Sequence, residues 1–474
     1  MWMSFDFMTK LTLSGGVPPD SLSPNQEAPM ETLAEIRSSA MSRFQVMAVV
    51  IALTLILIDG FDVAAMAYAA PVLSREWGIA PAALGFLLSA SLFGMAAGSI
   101  FLTPLADKIG RRRLTLISLV VISIGMVASV FATDATQLLV FRIVTGLGVG
   151  GMMANLNVLV SEYSSDKRRG SIMGIYTAGY PIGATIGGIV AGPLIPSLGW
   201  QSLFAVGAVL TIIMLVVSWV WLPESLDYLF TRRPAGALGR VNNILAKIGR
   251  PALDTLPAST ATGKEQSAIR EILTGPIRFR TFMLWAGYGC LVAAYYFANT
   301  WTPKIIAGVT GDNSAGVTTG TIANAGGILG CFVFSALAVR YRARPLLVIA
   351  LLGSAAAYIV FSMLFSQITL AMVLALFLGM LTTAGIAGFY TVSPEIYSAR
   401  ARATGVGWMI GLGRLVSIVA PILVGYLLSG GWKPENIFVL FAAPLAASAL
   451  CILALGHSLK RQARTAQPVA ATVS

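Results

Sequence analysis

The chain has 474 residues, of which 56% are hydrophobic and 11% charged, and its mean hydropathy is +0.80. Soluble domains carry roughly 25% charged residues, so a water-soluble globular fold is excluded and lipid is the solvent this composition needs. The formal net charge is +12, yet the basic residues lie in short segments between apolar blocks, which argues against a nucleic-acid patch.

The first 40 or so residues are polar and carry Pro18, Pro19, Pro24 and Pro29. With no leading apolar core they read as a disordered cytoplasmic tail, not a cleavable signal peptide. Met41 sits just before the first apolar block and offers an alternative start. Twelve apolar blocks follow, at roughly 44–69, 84–104, 114–132, 137–159, 171–194, 202–222, 282–303, 318–339, 345–365, 369–392, 404–428 and 437–457. Each approaches the ~20 helical residues that cross a hydrocarbon core. A polar stretch separates the sixth and seventh and is the longest loop. The expected organisation is a tail at 1–43, a six-helix bundle at 44–222, a cytoplasmic linker at 223–281, a second bundle at 282–457 and a tail at 458–474. The fold class is an all-α polytopic membrane protein with twelve transmembrane helices in two pseudo-symmetric six-helix bundles.

Of the 32 Lys and Arg residues, 27 fall on one side if both termini are cytoplasmic. Arg75, Lys304 and Lys433 fall on the other, and Arg142 and Arg414 lie within helices. That bias sets the orientation by the positive-inside rule. The halves also repeat. Glu162 and Arg169 match Glu395 and Arg402, and Thr103–Lys108 aligns with Ser335–Arg340, at an offset of 232 or 233. Such a repeat implies parallel halves with a substrate site between them near the midplane.

Charges in hydrocarbon cost several kcal/mol and mark function. Asp59 and Asp62 lie one turn apart on the first helix, so both carboxyls share a face. Two acids so placed in a dry medium repel, and one holding a proton relieves them, as a proton carrier requires. Gly60 between them allows close helix contact. Arg142 lies about 7 Å inside the outer end of the fourth helix and Asp62 about 10 Å from the same face, so an Asp62–Arg142 pair is allowed. Arg414 lies roughly 15 Å from the inner end of the eleventh helix. No acid within the helices of its own half matches it, which suggests an anionic ligand, with backbone carbonyls as the alternative partner. Cys290, Cys331 and Cys451 fall inside apolar blocks without metal-type spacing and read as buried free thiols.

Asp107-Lys108-Ile109-Gly110-Arg111-Arg112-Arg113 resembles the signature loop of the major facilitator superfamily. It differs from the usual pattern at Thr103 and Lys108, and Val339 replaces the acid in the second half, so that copy is expected to be weak. Asp107, Lys108, Gly110, Arg111 and Arg112, with Glu162, Arg169, Glu395 and Arg402, form the expected conformational latch between states. Within the superfamily the chain resembles the aromatic acid:proton symporters. The matching pieces are Asp59–Asp62, Phe141–Asn155, Ser161–Tyr163, Leu222–Ser225, Trp301–Pro303, Arg402–Trp408 and Gly411–Arg414. Ala154 stands where that pattern has Pro, which is expected to relax the fourth helix. The resemblance implies proton-driven uptake of an aromatic carboxylate in which Asp59, Asp62, Arg142 and Arg414 are essential.

An aromatic ring needs flat apolar or π-rich walls. The seventh helix offers Tyr288, Tyr295, Tyr296, Phe297 and Trp301, the tenth Phe389 and Tyr390, and the fifth Tyr176 and Tyr180. Asn299 and Asn324 could bond ring substituents, although either is equally suited to joining helices. The expected substrate contacts are Arg142, Arg414, Tyr295, Asn299, Trp301, Asn324 and Tyr390. Gly179, Gly183, Gly187 and Gly188 on the fifth helix resemble an antiporter motif, so exchange or export of another organic anion is the alternative. The single histidine, His457, reads as a helix-end residue. There is no metal cluster or His–nucleophile arrangement, so an enzyme is not expected. No cofactor is expected beyond a proton gradient. The partners are a small organic anion, protons and the lipid bilayer, with no nucleic acid, in a monomer of a bacterial inner membrane.

Overall fold

The computed structural model describes residues 40–256, 270–274, 277–364, 366–398 and 401–466. Residues 1–39 of the tail expected at 1–43, part of the linker and the last eight residues lie outside that set, as does the side chain of Ala154. Among the described residues, twelve helices are long and apolar enough to cross a membrane. They are α1 (Arg43–Glu76), α2 (Pro81–Phe101), α3 (Arg111–Val130), α4 (Ala135–Tyr163), α5 (Asp166–Leu198) and α6 (Gln201–Trp221). The second set is α7 (Ile277–Thr310), α8 (Asn313–Arg340), α9 (Ala343–Leu364), α10 (Ile368–Val392), α11 (Arg402–Ser429) and α12 (Pro434–Ala466). The chain turns where the local chemistry dictates. Ser42 and Gln45 form a reciprocal cap at the start of α1. Asp134 accepts from two backbone N–H groups at the start of α4.

Several helices outrun the apolar blocks. α1 continues past residue 69 to Glu76, and α7 starts at Ile277 and takes in Arg278 and Arg280. Polar end turns keep their helical hydrogen bonds outside the hydrocarbon, so hydropathy marks the core of a span rather than its ends. The polar reading of the linker needs correction too. Two helices, Leu226–Arg232 and Ala237–Ile248, lie in it, and the second buries Val241, Ile244 and Leu245. A further short helix, Thr103–Ile109, joins α2 to α3.

Charge and apolarity are arranged as lipid demands. Asp59, Asp62 and Arg142 are buried, while Ile124, Val216 and Leu450 are exposed. Small residues let backbones touch inside each half. A Cβ on Gly94, Gly98 or Gly146 would overlap the carbonyl of Ile143, Leu147 or Ser91 at the α2–α4 seam. A Cβ on Gly326, Gly330 or Gly379 would overlap that of Leu376, Met380 or Ala323 at the α8–α10 seam. Each position in the second set is 232 or 233 residues beyond its counterpart, so the repeat extends to three backbone contacts.

Among the described residues the halves meet chiefly through α2–α11, α5–α8, α1–α7 and α1–α8. Their contacts gather at the face opposite the basic loops. Ser89 Oγ donates to the Ile418 carbonyl at 2.9 Å and Ala82 N to Ser429 Oγ at 3.0 Å. Arg75 Nη2 reaches the Gly311 carbonyl at 3.4 Å, and Lys304 donates to Ser74. Toward the basic face, Gly170 and Gly174 on α5 and Gly407 and Gly411 on α11 look onto open space among the described residues. The halves thus meet at one face and part toward the other.

Candidate functional site

The acids sit where α1 presses against α5. Gly60 removes the side chain that would strike the Tyr180 carbonyl, and Gly183 does the same for Leu57. Close backbone approach therefore carries Asp59 and Asp62 into the interior, each 2% exposed. The pair allowed by matching depths forms. Arg142 Nη1 lies 2.6 Å from Asp62 Oδ1 and Nη2 2.8 Å from Oδ2, a two-pronged ion pair. The guanidinium carbon also lies 5.3 Å from the centroid of the Phe204 ring.

Asp59 differs from its neighbour. Both its carboxylate oxygens are buried without a hydrogen-bond partner among the described residues. It lies within electrostatic reach of Asp62, Arg414 and Arg142. With Asp62, Leu119, Met152 and Thr211 it lines a small cavity inside the first half.

Arg414 reaches out of the second half into the first. Its Nη1 donates to Ser99 Oγ at 2.5 Å and to the Met95 carbonyl at 3.3 Å, and its Nη2 lies 3.9 Å from Met153 Sδ. All these partners are neutral. The backbone-carbonyl alternative is thus realised, but on the opposite half rather than at a helix end. A neutral pair of acceptors leaves the charge itself uncompensated, so an anion can compete for the same guanidinium.

The expected substrate contacts divide. Tyr295, Asn299 and Asn324 line a second cavity, together with Leu378, Thr382 and Thr383. There Asn324 Nδ2 donates to Asn299 Oδ1 and to Tyr68 Oη, both at 3.3 Å. The second of these bonds crosses between the halves. Tyr390 Oη lies 3.1 Å from Tyr288 Oη. Trp301 is a correction: it is 1% exposed, and its Nε1 donates to the Pro421 carbonyl at 3.1 Å. It pins α7 to α11 rather than facing a cavity. Thr382, Thr383, Ser99 and Tyr68 were not anticipated, because single hydroxyls in an apolar run carry no periodic signal.

The latch residues bond within their own half here. Arg111 Nη1 lies 2.6 Å from Glu162 Oε1, and Ser225 Oγ donates to the same oxygen at 2.9 Å. Glu224 Oε1 accepts from Arg112 N at 3.0 Å, which caps α3. Gly110 has φ 103°, and a Cβ there would press on Glu224. Arg112 Nη2 donates to the Trp219 carbonyl and Tyr228 Oη to the Lys108 carbonyl. Asp107 is exposed. Arg169 pairs with Asp166 at 3.2 Å rather than with Glu162, and Arg402 Nε donates to the Pro394 carbonyl. In the second half Arg344 lies 3.2 Å from Glu395, with side chains 35% and 51% exposed against 13% and 10% for Arg111 and Glu162. Screening by water makes the second pair the weaker. Arg344 lies 233 residues after Arg111, a signal the repeat carried.

The chain matches the Major Facilitator Superfamily over residues 52–369 and 326–472. It belongs to that superfamily. Its relatives include the 4-hydroxybenzoate transporter PcaK of Pseudomonas putida, 30% identical over 428 residues that cover 89% of this chain and 94% of the relative. The gallate transporter of the same species is 31% identical over 445 residues, covering 93% and 98%. Among solved structures, the xylose transporter XylE of E. coli superposes with a TM-score of 0.68 at 17% identity, over 86% of this chain and 97% of that one. That likeness speaks for the fold. The superfamily architecture of two six-helix bundles and the resemblance to aromatic acid transporters thus agree with the sequence.

Proposed function

We propose that this transporter imports aromatic carboxylates together with protons by alternating access, and that its basic face is cytoplasmic in a bacterial inner membrane. The carrying observation is Asp59: a buried carboxylate with no hydrogen-bond partner among the described residues, within electrostatic reach of an Arg414 held only by neutral groups. On this reading the described conformation is open inward.

The residues then divide the work. Asp62 stays tied to Arg142 and keeps that guanidinium compensated in the low-dielectric interior. Asp59 is free to take up and lose a proton. With Asp59 protonated and the halves parted on the outer side, Arg414 binds the carboxylate and the aromatic ring rests against the tyrosines of α7. Rocking exposes the site to the inside. Proton loss from Asp59 places a negative charge beside the bound anion and favours its release. Arg414 then returns to Ser99 and the Met95 carbonyl. The protein acts as a carrier and transforms no substrate.

The test is uptake into proteoliposomes with an imposed pH gradient. Asp59→Asn is expected to keep exchange of labelled for unlabelled 4-hydroxybenzoate while losing uphill accumulation. Accumulation that survives in Asp59→Asn, or wild-type uptake indifferent to the gradient, refutes proton coupling through this residue and favours anion exchange.

A further inference from the structure

Two phenols on α5 have no part in the cycle above. Tyr176 and Tyr180 lie four residues apart and so share a helix face. Tyr176 is 6% exposed, and both hydroxyls are buried without a hydrogen-bond partner among the described residues. Among the described residues Tyr397 Oη is in the same state, whereas other buried tyrosines are satisfied. Tyr68, Tyr163 and Tyr358 each donate to a backbone carbonyl, at 3.1, 2.7 and 2.7 Å.

Their surroundings place them at the divide between the halves. Tyr176 lies within electrostatic reach of Asp59 on its own half and of Tyr390 and Arg414 on the other. Tyr180 lies within reach of Tyr295 and Tyr296 on α7 and of both aspartates on α1. Two orphaned hydroxyls thus flank one orphaned carboxylate, and the first of them also lies within reach of a guanidinium on neutral acceptors. A buried hydroxyl without a partner is costly, and the cost is recovered when a ligand group completes the bond.

We infer that Tyr176 and Tyr180 bind a hydroxyl on the substrate ring, so that the site selects hydroxylated over unsubstituted aromatic carboxylates while Arg414 takes the carboxylate. This rests on the proposed transport of aromatic acids and adds its selectivity. The physical reason for discrimination is asymmetric. A site built to hydrogen-bond a substrate hydroxyl rejects the analogue without it, because its own polar groups then stay buried and unpaired. An apolar wall in the same place would tolerate both.

The experiment compares the full-length protein with Tyr176→Phe, Tyr180→Phe and the double variant in proteoliposomes. Initial rates are measured for labelled benzoate, 3-hydroxybenzoate, 4-hydroxybenzoate and 3,4-dihydroxybenzoate. The wild type is expected to favour at least one hydroxylated acid over benzoate by about tenfold or more in kcat/KM. The double variant is expected to lose most of that preference, through a fall for the hydroxylated acid with benzoate changed less than about twofold. A monodisperse peak in gel filtration serves as the check that a variant is folded. If a variant does not fold, the wild type still decides: 4-methoxybenzoate, which has no donor, must compete at least about tenfold more weakly than 4-hydroxybenzoate. Equal efficiency for benzoate and all hydroxylated acids sinks the inference and leaves the transport reading standing. So does an equal loss for benzoate and hydroxybenzoates in the variants. No wild-type transport of any aromatic acid overturns both.

Discussion

Replacing Asp62 by Asn isolates the energetic role of the buried ion pair. In the structure Arg142 and Asp62 are joined by bonds of 2.6 and 2.8 Å, with side-chain exposures of 0% and 2%. Without the carboxylate, the guanidinium stays charged in a dry site, because arginine does not release its proton in a protein. Removing one partner of such a pair costs about 3–5 kcal/mol. The reverse change, Arg142→Gln, leaves a carboxyl that a proton can neutralise, so its cost is smaller, about 1–3 kcal/mol. The order of stability is therefore wild type, then Arg142→Gln, then Asp62→Asn. The double variant removes both charges and recovers part of the loss, since nothing charged remains unpaired. Denaturant unfolding in detergent micelles, followed by tryptophan fluorescence, measures all four proteins. An Arg142→Gln variant as unstable as Asp62→Asn, or an Asp62→Asn variant within about 1 kcal/mol of wild type, would refute the reasoning.

Ser99→Ala removes one of the two oxygens that hold Arg414 in the first half. The freed guanidinium is expected to bind the anion more tightly, lowering KM severalfold with kcat unchanged or reduced, as initial-rate uptake will report. Gly183→Leu drives a side chain into the Leu57 carbonyl and is expected to abolish folded protein, read as loss of the monodisperse peak in gel filtration. Gly174→Leu, which looks onto open space, is expected to keep that peak.

The twelve spans were legible because composition alone forces them into lipid, and the ion pair because helix direction and rise set its two depths. Two signals went unread: adding 233 to Arg111 gives Arg344, and Val241, Ile244 and Leu245 of the linker helix repeat at helical spacing inside a segment dominated by polar residues. Other features needed coordinates. The partners of Arg414 are a carbonyl and a serine on another helix, and such groups leave no mark in sequence. Trp301 could not be told from a cavity residue, because which way an aromatic points depends on the rotation of its helix against its neighbours. Sequence alone did not set the pairing of the residues expected to form a latch, in which Arg111 meets Glu162 and Arg169 meets Asp166.

The glycine seams repeat between the halves and the buried charges do not. Positions 233 residues after Asp62 and Arg142 hold Tyr295 and Ala375, and the position 233 before Arg414 holds Pro181. The duplicated part is thus a chassis, and specialisation has been written onto it unequally, with the two buried acids in one module and a guanidinium reaching across from its twin. Redesign can exploit that asymmetry: the guanidinium at position 414 can be altered on the C-terminal module without touching the buried acids, provided both sets of tight backbone crossings are left intact.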